Sequence, residues 1–382
     1  MQSFPEDQRF VYVNNKMMRR GHTTGTCAAA AAKAAALALL TGNTVDCVDI
    51  VTPKGIPLKL PVEDMAFGDG SVRCAVRKDG GDDIDVTHGA LIYSEVSLSD
   101  CGILIDGGVG VGRVTRKGLD QPPGNAAINK VPRSMIREAL EDVAHTLSYT
   151  GGFKVTVSVP EGMNLSSKTF NPRLGIEGGI SILGTSGIVE PMSEAALVKT
   201  IVAEMDMRAA SGVDVLLVVP GNYGKEFSDH LPGIDSDFAI KCSNFVGEML
   251  DHAVELKKDV LLVSNLGKIV KVAGGIMNTH SRNADCRMEI LAAAAARAGA
   301  GIESVRGILD CISTDDALEI VESDGLLRQV SEIIAEKVEF YINHRTGGEI
   351  RVAAVIFSSV YGLLSKTSLA DEMLETVKRE CA

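Results

Sequence analysis

The sequence predicts two domains of different class. An α+β domain with a mixed sheet is expected over residues 1–178, and an α/β domain with a mainly parallel sheet over 179–382. Three observations carry this. The first half holds short β-branched runs between Gly, Pro and Asp turns. From Gly178 onward, short apolar strands alternate with longer helical segments, the mark of βαβ units. Near the start, a Gly/Thr loop opens onto an alanine-rich helical run.

In chain order, Gly21-His22-Thr23-Thr24-Gly25-Thr26-Cys27 comes first and runs into Ala28 to Leu40. Alanine is the best helix former, so Cys27 to Leu40 should be a helix of roughly 21 Å. Gly42 stands where a left-handed C-cap belongs. Thr24 or Thr26 suits the N-cap, and free N–H groups there would make an anion site. An alanine surface also lets a neighbour pack close, which accounts for the alanines but not for the threonines and glycines before them. Val45–Val51, Val72–Val76, Ala90–Leu98 and Val155–Val159 read as strands, and Ser134–Leu147, just after Pro132, as a helix. In the second half the expected alternation is Ile180–Leu183, Ser193–Ala210, Val213–Val219, Ser243–Leu256, Val260–Val263, Ala284–Ala298 and Ala353–Phe357. That arrangement is Rossmann-like. In such sheets ligands bind at the carboxyl ends of the strands. The loops expected there are Gly184-Thr185-Ser186-Gly187, Pro220-Gly221-Asn222-Tyr223-Gly224 and Ser264-Asn265-Leu266-Gly267.

Composition bounds the function. Hydrophobic residues make up 45% and charged residues 23%, an ordinary globular balance. Net charge is −12, from 38 basic and 50 acidic residues, which argues against nucleic acid or an anionic membrane as general partner. Eight scattered cysteines without a C-x-x-C pair indicate neither a zinc site nor a disulfide framework, and the seven histidines are dispersed, so no metal site is expected. Residues 1–20 lack a signal-peptide core, and no apolar run is expected to reach membrane-spanning length, so a cytoplasmic chain with reduced thiols is expected.

Against that acidic background, six basic residues and one acid fall between Arg113 and Arg137. They follow Asp106-Gly107-Gly108-Val109-Gly110-Val111-Gly112, which matches the D-x-G-x-G-x-G loop of common methyltransferases. That match is discounted, because no helix follows it here. A basic run is usually a solvated face; beside glycines it suits an anionic ligand. Asp82-Asp83-Ile84-Asp85 suits a cation, a base or a solvated turn. Asn278-Thr279-His280-Ser281-Arg282 suits a polar ligand or a capped turn. No phosphate loop and no nucleophile elbow is present. From the residues alone, the chain suits an enzyme joining a polyanionic substrate to a nucleotide-like cosubstrate.

The phrases GHTTGTCAAAAAKAA, GDDIDVTHGA, GVGRVTRKGL with PPGNAAINKVPR, ILGTSGIVEPMSEAA, VPGNYG, CSNFVGEML and AGGIMNTHSRNADCRME fall in one order along nearly the whole chain. In these the chain resembles the cobalt-precorrin-5B C(1)-methyltransferase family (CbiD family) of anaerobic cobalamin biosynthesis. It departs from that pattern at Ser264-Asn265, where Gly-His is common, and at Ile84, where proline is expected. The resemblance implies methyl transfer from S-adenosyl-L-methionine to ring carbon C-1 of cobalt-precorrin-5B, giving cobalt-precorrin-6A. Cobalt would enter only as part of the tetrapyrrole substrate. His22, Thr23, Thr24, Thr26, Arg113, Arg116, Lys117 and Arg133 are the expected partners of the tetrapyrrole carboxylates. Gly184, Thr185, Ser186, Gly221, Asn222, Gly224 and Asn265 are the expected S-adenosylmethionine contacts. Asp83, His88 and His280 are candidates for handling a proton of the macrocycle. A homodimer is compatible with this reading. The alternatives are a non-catalytic tetrapyrrole-binding protein and a different transferase acting on an anionic metabolite.

Overall fold

The computed structural model describes residues 4–381 apart from 14, 222, 223, 225, 226 and 228–232. The chain forms two compact units, Met1–Glu194 and Ala195–Ala382. The expected division at 178/179 falls short of this one, because residues 179–194 lie with the first unit.

The first unit contains β1 (Phe10–Val13), β2 (Lys16–Arg19), β3 (Gly21–His22), α1 (Thr24–Thr41), β4 (Cys47–Val51), β5 (Pro57–Pro61), β6 (Glu63–Phe67), β7 (Ser71–Arg77), β8 (Leu91–Ser99), β9 (Ile103–Gly107), β10 (Arg113–Val114), α2 (Lys130–Thr146), β11 (Gly152–Ser158), β12 (Ile176–Glu177) and β13 (Ile188–Val189). Its main sheet has the order β6-β7-β8-β11-β9. It is mixed, since β11 runs antiparallel to β8 and parallel to β9. This is the expected α+β class.

Helix α1 is the centre of that unit. Thirteen of its eighteen residues are buried, from Thr24 through Ala38. Its alanines let the sheet come close enough for side chains to reach the helix backbone. The Ser94 hydroxyl donates to the Ala28 carbonyl (2.8 Å) and the Cys74 thiol to that of Ala31 (3.2 Å). Gly42 ends the helix in the left-handed region (φ 71°), its N–H donating to Ala38. The N-cap is Thr23, not Thr24 or Thr26, and its hydroxyl accepts from the Thr26 N–H. Lys33, the helix's single charge, pairs with Asp142 on α2 (2.7 Å). By length and hydropathy α1 would cross a membrane, contrary to the expectation for any apolar run; here that surface is taken up by β4, β7, β8 and α2.

The second unit carries β14 (Val215–Val219), β15 (Ile240–Lys241), β16 (Asp259–Asn265), β17 (Val352–Ser358) and β18 (Gly362–Lys366) in the order β15-β14-β16-β17-β18. All neighbours are parallel except the edge hairpin β17–β18. Residues 215–219 and 352–358 are buried throughout, as in central strands covered on both faces. One layer of helices includes Val246–Leu256, Leu266–Val272 and Leu327–Thr346; Ala370–Cys381 packs on the opposite face with a core of its own. The Rossmann-like, mainly parallel expectation holds.

One expected element is different. Ile180–Leu183 is not the first strand of this sheet. Ile180 bridges Val111 and Ile182 bridges Ile128, both in the first unit, and β13 just beyond pairs with β3. An apolar run of four residues reads as a strand without revealing its partner.

Candidate active site

Two groups of candidate residues form, one in each unit. In the first, β3 and the start of α1 meet the loop after β7. Close backbone packing brings them together: a Cβ on Gly21 would stand 2.3 Å from the Gly80 carbonyl carbon, and one on Gly81 would stand 2.3 Å from the Arg19 oxygen. Around this contact lie Arg19, His22, Lys78, Asp79, Asp83, Asp85 and His88.

Lys78 is 2% exposed, and its ammonium donates to Asp85 at 2.7 Å. Asp85 also accepts from the Thr87 N–H and hydroxyl. Burial pushes the Asp85 carboxyl up, but Lys78 and Thr87 outweigh it and hold it below the usual range. Asp79 forms a two-pronged pair with Arg19. Burial works against its charge, yet the Arg19 and Gly81 hydrogen bonds bring its pKa down to about 2. His22 is 2% exposed, and burial followed by the Lys78 charge lowers its pKa to about 4. Its Nε2 lies 3.2 Å from the Arg77 carbonyl, which fixes the proton there, while Nδ1 is buried with no partner.

The acidic turn is internally occupied. Asp82 accepts from the Arg19 N–H, and Asp83 accepts from the Met192 N–H at 3.0 Å. His88 is exposed, and its Nδ1 accepts from the Gly80 N–H at 3.0 Å. The neutral ring therefore carries its proton on the outward Nε2 and presents a donor. Among the described residues, no group of three His, Cys, Asp or Glu is placed to hold a metal ion.

The expected anion cradle at α1 is filled by the chain itself. His22, Thr23, Thr24 and Thr26 are all buried. The Gly25 N–H donates to the Leu183 carbonyl, the Thr24 hydroxyl exchanges bonds with Leu183, and the Thr26 hydroxyl donates to Gly187 (2.7 Å). The loop that closes it contains Gly184, Thr185 and Ser186. These three therefore belong to the first unit, whereas Gly221, Gly224 and Asn265 belong to the second. Gly184 (φ 135°) sits so close to Thr23 that a Cβ would come within 2.2 Å of its hydroxyl oxygen.

The glycine-rich loop also packs inward. A Cβ on Gly110 would stand 1.8 Å from the Val159 oxygen, and one on Gly112 would meet Ile176 and Gly179. Its basic residues divide into two kinds. Arg113 is bound to both oxygens of Asp106 (2.7 and 3.0 Å) and to the Gly107 carbonyl. Arg133 donates to the carbonyls of Ile128 (2.8 Å) and Ile105 (2.9 Å). Both hold the fold. Arg116 and Lys117 are exposed on the loop after β10, with the Arg116 stem against Gly175.

In the second unit the group lies at the carboxyl ends of the parallel strands. Asn265 ends β16 and caps the next helix, its Oδ1 accepting from the Gly267 N–H (2.8 Å). Gly221 follows β14; among the described residues a Cβ there would find only the Lys268 ammonium, at 3.7 Å. Gly224 packs on Val263 and Val219. Asn222 lies outside the described residues. Lys268 ties these segments, donating to the Pro220 carbonyl (2.5 Å), the Ser243 carbonyl (3.2 Å) and Asn244 Oδ1 (3.0 Å). Burial lowers its pKa. His280 is exposed in the loop beyond, with Nδ1 accepting from the Arg282 N–H (3.1 Å), so its neutral ring also presents an outward N–H.

Sequence reasoning passed over Arg19, Lys78, Asp79 and Lys268. Lys78 sits between Arg77 and Asp79 and reads as part of a charged turn. The available signal was the strand alternation of residues 71–77, whose continuation turns residue 78 inward.

A family model described as CbiD matches residues 11–191, and one described as CbiD, C-terminal domain matches residues 278–368. A protein of Ruminiclostridium cellulolyticum named cobalt-precorrin-5B C(1)-methyltransferase is 48% identical over 354 residues, covering 92% of each chain. A protein of Alkaliphilus metalliredigens with the same name is 44% identical over 375 residues, 98% of each. A crystal structure of a cobalamin biosynthesis protein (cbiD) from Archaeoglobus fulgidus is 29% identical and covers 72% of this chain and 86% of its own, with a TM-score of 0.40.

Proposed function

The chain belongs to the CbiD family, and from that premise we propose that it methylates ring carbon C-1 of cobalt-precorrin-5B, giving cobalt-precorrin-6A, with S-adenosyl-L-methionine as donor. The observation that carries the reading is identity at 44% along 98% of both chains with a protein named for this reaction. Likeness of that extent takes in both units, and so the elements that bear both candidate groups.

The sulfonium supplies an activated methyl group. A nucleophilic ring carbon takes the methyl, the sulfur keeps the bonding pair, and a proton leaves the macrocycle to balance the charge. The protein's tasks are alignment, exclusion of water and proton acceptance. The donor is assigned to Gly221, Asn265 and their neighbours at the strand ends of the second unit. A small residue at 221 and an amide at 265 leave room and polar partners for a nucleoside. The tetrapyrrole carboxylates are assigned to Arg116 and Lys117, two exposed cations on the loop after β10. Among the three proton-handling candidates, His88 and His280 point an N–H outward when neutral, so they suit donation to carboxylates. Asp83 is the acceptor: the Met192 N–H orients its carboxylate without neutralising it.

Isothermal calorimetry tests the donor assignment, with hydrogen exchange followed at residues 264–268. Binding of S-adenosylmethionine with protection there supports it; no binding, with or without the tetrapyrrole, contradicts it.

A further inference from the structure

Among the described residues, Lys268 has no counter-ion. The contacts of its ammonium there are neutral oxygens, at Pro220, Ser243 and Asn244, with no described carboxylate within ion-pair distance. Lys78 is answered by Asp85 and Lys33 by Asp142, each at 2.7 Å, whereas Lys268 shares with its neighbour Lys271 a setting of neutral oxygens. A sheltered charge without a partner of opposite sign is costly, and proteins normally pair it.

Its place in the fold matters as well. The ammonium joins three segments at the carboxyl ends of β14, β15 and β16, where open parallel sheets receive ligands. Beside it Gly221 has no side chain, and among the described residues a Cβ added there would meet only this ammonium, at 3.7 Å. Lys268 is only partly covered, so a ligand atom can reach it. One helical turn on, Lys271 adds a second ammonium, fully buried and bound to the carbonyls of Thr279 (3.1 Å) and Ala284 (2.9 Å). Asn244 Oδ1 also receives the Thr279 hydroxyl at 3.4 Å, so it keeps a donor if Lys268 turns to another acceptor.

We propose that the missing counter-ion is the carboxylate of the methyl donor's amino-acid end, bound by Lys268 beside Gly221. This rests on the assignment of the donor to these strand ends. A carboxylate oxygen replacing the Ser243 carbonyl or Asn244 adds a negative charge opposite the ammonium, turning its bond to a neutral oxygen into an ion pair. The substrate also bears carboxylates, so the probes must separate the two sources.

Calorimetry with S-adenosylmethionine and with its decarboxylated analogue does so, on the wild-type chain and on Lys268→Met. The wild type should bind S-adenosylmethionine about tenfold or more tightly than the analogue. Lys268→Met should bring the two affinities together, the loss falling about tenfold more heavily on S-adenosylmethionine than on the analogue. Equal binding of both ligands by the wild type overturns the inference and leaves the donor assignment standing. A preference that survives in the variant also overturns it, as does loss of preference only for a polycarboxylate porphyrin probe. Failure of both ligands to bind the wild type removes the donor assignment itself. Should Lys268→Met not fold by circular dichroism, Lys268→Gln keeps a donor for the strand-end oxygens without the charge, and the same ratio decides.

Discussion

His22 shows how a single buried side chain sets a pH limit. Unfolded, its ring takes a proton near pH 6.5; folded, it resists until about pH 4. The unfolded state therefore binds more protons between those values. This contribution is complete above about pH 6.5 and is lost as pH falls toward 4. Asp79 acts in the same direction lower down, between 3.8 and about 2. Urea unfolding of the wild type should show stability falling through the first window by on the order of 3 kcal/mol. In His22→Gln, which keeps a donor for the Arg77 carbonyl, that slope should disappear; an unchanged slope would remove His22 as its source. Lys78 and Asp85 form the other residue-scale test. Lys78→Met leaves the partly buried Asp85 carboxylate without its cation and should cost about 2–3 kcal/mol, and adding Asp85→Asn should recover part of it. Full additivity by denaturation would mean the pair is not coupled. Neither role was legible beforehand. The sequence shows a histidine beside glycine and a lysine beside arginine, and burial depends on strands that come from elsewhere in the chain.

At the scale of elements, regular structure was readable where the signal was local. Helix α1, its Gly42 cap and the alternation of the second unit follow from alanine content, a left-handed glycine and hydrophobic periodicity. What escaped was partnership. The loop at 184–187 has the composition of a ligand loop, and its use as the lid on the α1 N-terminus depends on β13 pairing with β3. Gly184→Ala is therefore expected to destabilise the first unit by about 2 kcal/mol or more, since φ is positive and Thr23 stands in the way. A variant as stable as the wild type in thermal melts would contradict that packing. The basic loop gives a second test. Arg116 and Lys117 are exposed on the loop after β10, so Arg116→Ala with Lys117→Ala should weaken tetrapyrrole binding by about tenfold and flatten its salt dependence, leaving donor affinity unchanged. Equal loss for both ligands would contradict separate sites.

For the whole molecule, the two-class architecture was visible in the sequence because each half carries its own periodicity. The reaction was not visible in that periodicity; it came from motif order along the chain and from the relatives. Proton handling was the least legible part, since it turned on which ring nitrogen each histidine commits to a backbone N–H. With Asp83 as the proposed acceptor, Asp83→Asn should lower kcat by about a hundredfold with donor affinity intact. The central claim is methyl transfer to C-1. The purified chain, incubated with cobalt-precorrin-5B and S-adenosylmethionine labelled with carbon-13 in its methyl group, should give a product with one new labelled methyl carbon attached to ring carbon C-1 by NMR. An unlabelled tetrapyrrole, or a label at any other carbon, would contradict it.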